Sequence, residues 1–393
     1  MPTTAFLAGT DSNDVELSYA LETTYGDAPA GSYQKFRVNS ESFSEQKNRT
    51  RPPELRSDGQ AAAQTTQDVQ ARGSVPFGIS YGNVDQLIAC ALHGAWSADL
   101  AIAATDIQAV EDSDGDYFEA VSPTRFQDIE IGQWIKVAGF TSAANNGYHR
   151  VTDKDTDARI VVASALANEA AGDSVTVKGS MLRNGTIVNT VTIQKRLATA
   201  LGFAYPGTFF TGGQINAQRG QFFSGQLDAL CKSETKAAAA LGSGFLAAPT
   251  AKVMNTVGHF QSLTIDDVET TSKIMGLNTS FVRDGAALAF ALGSADAVGI
   301  GSKGTLTVTG TKRVYFADYA LYDAYKAETE LLDSYRVVDT AGNAYIVTIP
   351  SLVLGQSTIV AGGPNQAVMA DFNWGADPNS LYGCTLQLDR FAA

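Results

Sequence analysis

The chain has 393 residues, 44% apolar and 18% charged, with 37 glycines and a net charge of −13. That length gives room for two or three domains with ample core, and the apolar content excludes a disordered chain. Sparse charge with abundant glycine favours sheets joined by turns, and the lack of Lys/Arg clusters in so acidic a chain argues against stable gripping of nucleic acid.

The first ten residues have no basic start and too short an apolar run for a secretory signal. The stretch Glu45 to Gln60 reads as a long structureless loop, of the kind that is functional when it sits inside a compact domain. It sets Lys47, Arg49, Arg51 and Arg56 against Glu45, Glu54 and Asp58. A mixed-sign set of this kind suits pairing with a complementary ring of charges; a plain flexible surface loop is the bland alternative.

From Gln67 to Tyr81, odd positions read Val69, Ala71, Gly73, Val75, Phe77, Ile79, Tyr81, and even positions are mostly polar. This period of two predicts a strand with one buried face. Helical spacing follows at once in Val84, Leu87, Ile88, Ala91 and Leu92, with Asn83 as the expected N-cap. Cys90 reads as a small core residue of that helix. With Cys231 and Cys384 it makes an odd, scattered set, with no metal spacing and no disulfide framework, which implies a reducing compartment.

Three short motifs carry chemistry elsewhere. Gly78–Gly82 matches G-x-S-x-G, but an acyl-transfer site needs a histidine base and an alternating β/α chain, and the residues already fit the strand pattern. Asp112–Asp116 resembles the start of a calcium loop, yet Tyr117 stands where glycine is required and Pro123 where glutamate is, so a solvated acidic turn is expected. Gly299–Gly304 matches G-x-G-x-x-G, but a strand follows it instead of a helix, so a hairpin tip is expected. No catalytic residue, metal or cofactor is expected, and no apolar run reaches the ~20 residues of a membrane span.

Residues 105–180 hold short strand-like segments and the hairpin turn Asn146-Gly147, which predicts a small inserted β domain. Its thirteen acidic residues outweigh six basic ones, so it should face solvent on the outside of any assembly. After it, the order of elements recurs. Gly304–Phe316 predicts a second long strand and Asp318–Ala327 a second short helix. Phe222–Leu230 and Gln366–Trp374 are matching strands, each expected to follow a Gly-rich turn (Gly212-Gly213, Gly362-Gly363).

Together, Glu54–Gln60, the alternating strand to Tyr81 and the helix after it resemble the tail tube proteins of long, non-contractile-tailed bacteriophages. Glu22–Pro29, Ser40–Phe43, Gly342–Pro350, Asn365–Phe372 and Leu386–Phe391 extend the resemblance. It implies a mainly β fold with two tail-tube-type antiparallel sandwich or barrel-forming domains. These would be 1–104 with 181–255, and 256–393; residues 105–180 would be the insertion.

The resemblance further implies a structural, non-enzymatic virion protein, assembled in the host cytoplasm. It would stack as rings into the tube through which DNA passes, meeting the tape measure, tail terminator and distal tail proteins. The inter-ring contact would fall on Lys47, Arg49, Arg51, Glu54, Arg56 and Asp58. Two domains per chain imply a trimeric ring of pseudo-sixfold symmetry, with a hexamer as runner-up. The competing class is a surface β-sandwich adhesin or a capsid decoration protein.

Overall fold

A computed structural model of the chain describes residues 9–198, 200–270 and 272–393. Its main sheet has eight strands in two like series. The first comprises β1 (Ser44–Thr50), β2 (Thr65–Gly78), helix α1 (Asp85–Leu92), β3 (Leu201–Gln218) and β4 (Ser224–Cys231). The second comprises β5 (Ile274–Asp284), β6 (Thr305–Tyr315), helix α2 (Ala320–Ala327), β7 (Ala344–Val360) and β8 (Met369–Ala376). Pairing is antiparallel throughout, in the order β1–β2–β4–β3–β5–β6–β8–β7. Each series is therefore a four-strand unit, and the second repeats the order of the first beside it.

The repeat holds in detail. In unit 1 the β3–β4 ladder slips between Phe210 and Gly212, opposite Ala229 and Asp228. In unit 2 the β7–β8 ladder slips between Leu354 and Gln356, opposite Trp374 and Asn373. Gly73 of β2 faces Ala229 and Gly310 of β6 faces Trp374. A Cβ on Gly310 would lie 2.1 Å from the Asn278 carbonyl oxygen and 2.2 Å from the Trp374 ring, so only glycine fits there. Each helix ends on a left-handed residue, His93 (φ 53°) and Glu328 (φ 52°), whose backbone N–H turns back to the carbonyls of Ala89 and Cys90 and of Ala324 and Tyr325, respectively.

The alternation read from sequence explains the two faces. β2 buries Val69, Ala71, Val75 and Phe77; β6 buries Val308, Lys312 and Val314 and exposes Thr307, Thr309, Thr311 and Arg313. Burying each large apolar side chain is worth about 1.5–3 kcal/mol, which fixes the register. One core runs beneath both units, from Phe77, Leu87 and Leu227 to Phe281, Phe372 and Trp374. The opposite face is polar across the sheet. It carries Gln70, Arg72, Asp228, Gln214, Asn278, Thr309, Asp371 and Thr358.

The long strands β3 and β7 also join a second layer. The first half of β3 pairs with Val191–Ala198, and that of β7 with Leu331–Val338. Strands between Leu100 and Arg183 enclose a separate apolar cluster around Phe118, Phe126, Ile135, Val151 and Ile160. This segment docks on the second layer of unit 2. Trp134 packs with Ala344, Ile346 and Phe391, and its indole N–H donates to Thr348 Oγ1 at 3.1 Å.

The mainly β class and both short helices agree with the sequence reading, and three local expectations do not. Asn83 is not the N-cap of α1: the cap position is Val84, and the Asn83 amide instead bridges the Arg37 N–H and carbonyl. Gly212-Gly213 is not a turn. It lies inside β3, where a Cβ on Gly212 would meet the Phe281 carbonyl oxygen at 2.5 Å, so the glycines serve close strand approach. Glu45–Gln60 is not wholly a loop, because Ser44–Thr50 pairs along β2.

Candidate assembly interface

Successive strands alternate in direction, so β2 and β6 run the same way. The hairpin tips that precede them, 51–64 and 285–304, lie at the same end of the sheet. The first tip is charged. The second carries a small ladder, Ala287–Ala289 against Gly299–Ser302, and exposes Leu292, Phe290 and Val298. The second tip also leans back on unit 1, where the Val69 N–H donates to the Ala295 carbonyl at 2.9 Å.

The six charged residues singled out in sequence divide between strand and tip. Lys47 and Arg49 sit on β1, while Arg51, Glu54, Arg56 and Asp58 sit on the tip. Arg56 pairs with Asp58 at 2.8 Å and holds its carboxyl below the usual range. Arg51 donates to the Ala62 carbonyl, and Lys47 lies 3.9 Å from Glu45. Arg49 and Glu54 form no ion pair among the described residues. Part of the mixed-sign set is thus satisfied within its own tip.

The other sequence motifs are absorbed by the fold. Ser80 is buried and accepts from Arg37 at 2.8 Å. Asp116 accepts from the Asp112 and Leu166 backbone N–H groups, closing an acidic turn. Gly299–Ser302 forms half of the second tip's ladder.

Sequence reasoning missed the sheet edges. The seam between units is β3 against β5, with Gly212 opposite Val282 and Gln214 opposite Ser280. Among the described residues, β1 is paired only on its β2 side, and the second half of β7 only on its β8 side. Gly355, Gln356, Thr358, Ile359 and Val360 of that edge are exposed. Pro350, which has no N–H to donate, stands inside this strand. Pro350 falls where the ladder with Leu331–Val338 slips, and the strand continues past it.

The seam also explains the different fates of the two helices. Arg283, near the end of β5, is buried and donates to the C-terminal carbonyls of α1: Ala91 at 3.3 Å and Leu92 at 2.9 Å. Seven residues of α1 are buried, including Leu87, Ile88 and Leu92; in α2 none is.

The scaffold is mainly β, with two tandem sheet units, long hairpins and strand edges left unpaired among the described residues. The sequence model of the family described as "Phage tail tube protein" matches residues 12–376, and the chain belongs to that family. No curated protein matches it. The chain is accordingly a structural component of a phage tail.

Proposed function

We propose that three copies of the chain close into a ring of six four-strand units, and that rings stack through their hairpin tips into the tube that conducts DNA. The observation that carries this reading is the β3–β5 seam. It joins two like units edge to edge inside one chain, and it leaves one bare edge at each end of the eight-strand sheet. Unpaired edges template further pairing, and cyclic closure removes them.

Closure with the core outward makes the polar face the channel lining. Its long strands bring Asp68, Asp228, Asp284 and Asp371 against Arg72 and Arg313. Acid in excess repels phosphates, so DNA passes without arrest. Residues 105–180 attach to the second layer, away from that face, and have their own apolar cluster. This supports an outward inserted domain, with 1–104 plus 181–255 and 256–393 as the two tube domains. Tape measure, terminator and distal tail proteins would meet the lumen and the tube ends.

Native mass spectrometry of rings trapped by tip variants tests the reading. Three chains per ring is the expected result. Six would replace the trimer with a hexamer, and a lasting monomer would sink the tube assignment.

A further inference from the structure

The seam inside the chain predicts the seam between chains, and one side chain at it can be named. Counting from the matched glycines fixes the correspondence. Ser44 of β1 pairs with Arg72, the residue before Gly73, and Ser280 of β5 pairs with Thr309, the residue before Gly310. Three positions further along each strand stand Lys47, opposite Val69, and Arg283, opposite Leu306. Lys47 is therefore the unit 1 counterpart of the arginine that caps α1.

The receiving side is also present. At the C-terminus of α2, a cleft of 430 Å³ is lined by Tyr325, Lys326, Glu328, Val353, Leu354 and Gly355. Its counterparts in unit 1 surround Ala91, His93, Phe209 and Phe210, and there β5 fills the space. His93 rests 5.3 Å from the Phe209 ring, and Arg283 satisfies the helix end. In unit 2 no described residue takes the place of β5. The last carbonyls of α2 have the same left-handed exit as those of α1 but no side-chain donor among the described residues.

We propose that β1 of a second copy fills this cleft, and that its Lys47 ammonium donates to the Lys326 and Ala327 carbonyls at the end of α2. This inference rests on the ring proposed above and adds its register: Ser44 opposite Thr358, as Ser280 is opposite Gln214. The chemistry is sound for lysine. The side chain is 60% exposed, its only ion-pair partner among the described residues is the Glu45 carboxylate at 3.9 Å, and a cation is favoured at a helix C-terminus. The two seams are not atom-for-atom copies, because Gln356 stands where β3 has Gly212. A Cβ on Gly212 would lie 2.5 Å from the Phe281 carbonyl oxygen, so β1 has to stand off at Glu45 and Gln46, and Lys47 reaches the α2 carbonyls from the residue after them.

A cysteine pair tests the register. Ser44 and Thr358 are exposed, and native Cys90, Cys231 and Cys384 are buried. Ser44→Cys/Thr358→Cys should give, on oxidation, a denatured ladder that stops at covalent trimers. Ser44→Cys/Ser357→Cys, whose second thiol faces the other way, should not. Lys47→Met should raise the concentration needed for ring assembly about tenfold, and Lys47→Arg should restore it. Rings that form without the Ser44–Thr358 cross-link, or that assemble equally well with Lys47→Met, overturn this inference and leave the ring intact. A wild-type chain that never forms rings removes the reading beneath it.

Discussion

Units 1 and 2 share strand order, bulge position and helix exit, yet they solve one core position in opposite ways. Val75 of β2 faces Leu227; at the matching place in β6, Lys312 faces Phe372. Ile193 in the second layer of unit 1 is matched in unit 2 by Asp333, and Lys312 and Asp333 form a buried ion pair. Burial pushes the Asp333 carboxyl up while the Lys312 ammonium pulls it back. Topology therefore does not dictate the chemistry of the core. The same frame accepts two aliphatic side chains or two opposite charges, provided the charges find each other.

The largest effect should come from breaking that pair. Lys312→Ala leaves a buried carboxylate alone and should cost about 3–5 kcal/mol in denaturant unfolding. Lys312→Val with Asp333→Ile copies unit 1 and should recover most of that loss. A double variant as unstable as the single one would mean that the two cores are not interchangeable.

The inserted segment is the next difference: it interrupts only unit 1, between α1 and β3, and it docks on unit 2. Trp134 covers Ala344, Ile346 and Phe391, and its backbone N–H donates to Asp389 at 3.3 Å. Trp134→Ala should destabilise by about 3 kcal/mol, as large aromatic truncations in cores do. Excising residues 105–180 should then need a polar replacement at Ile346 to keep the protein soluble. A clean excision without that change would show the docking to be incidental.

Asp389 supplies a pH signature for the same contact. Burial, opposed by bonds from Gln387 and Trp134, pushes its carboxyl up to about 8. The folded state then holds a proton that the unfolded chain has lost, so this group's contribution falls as pH rises from the ordinary carboxylate range through about 8. His93 and His149 act oppositely. Burial lowers both to about 4, so their contribution grows only up to the ordinary histidine range near 6.5. Between those limits Asp389 dominates, and stability should fall by about 1–2 kcal/mol from pH 6.5 to 8. Asp389→Asn should flatten that slope; an unchanged slope would assign it elsewhere.

The frame was legible in the sequence because it rests on periodicity. Val69 to Phe77 and Val308 to Val314 alternate, and Leu87, Ile88 and Leu92 keep helical spacing, so both strand–helix pairs could be read directly. The order of those pairs exposed the repeat. The edges were not legible, because an unpaired strand has the same alternation as a paired one and only its neighbours decide. Arg283 was invisible for the same reason: nothing local marks an arginine that caps a helix some 190 residues away. Asn83 and Gly212-Gly213 misled through good local propensity that tertiary contacts put to other use.

The smallest effects belong to the two tips, which differ most in composition and least in position. Tip 51–64 is charged and partly self-paired and exposes one large apolar residue, Leu55, whereas tip 285–304 exposes three, Phe290, Leu292 and Val298. If both tips reach the next ring, they should respond differently to salt. Surface ion pairs are each worth about 0–1 kcal/mol and are screened, so reversing Arg49, Arg51 and Arg56 together to Glu should shorten tubes at low salt and matter little at high salt. Leu292→Asp removes apolar burial instead, and should shorten tubes at every salt concentration. Tube length by electron microscopy across a salt series separates them. Equal salt dependence for both variants would mean that the tips make one kind of contact. Unchanged length in both would place stacking on another surface, with the sheet seam intact.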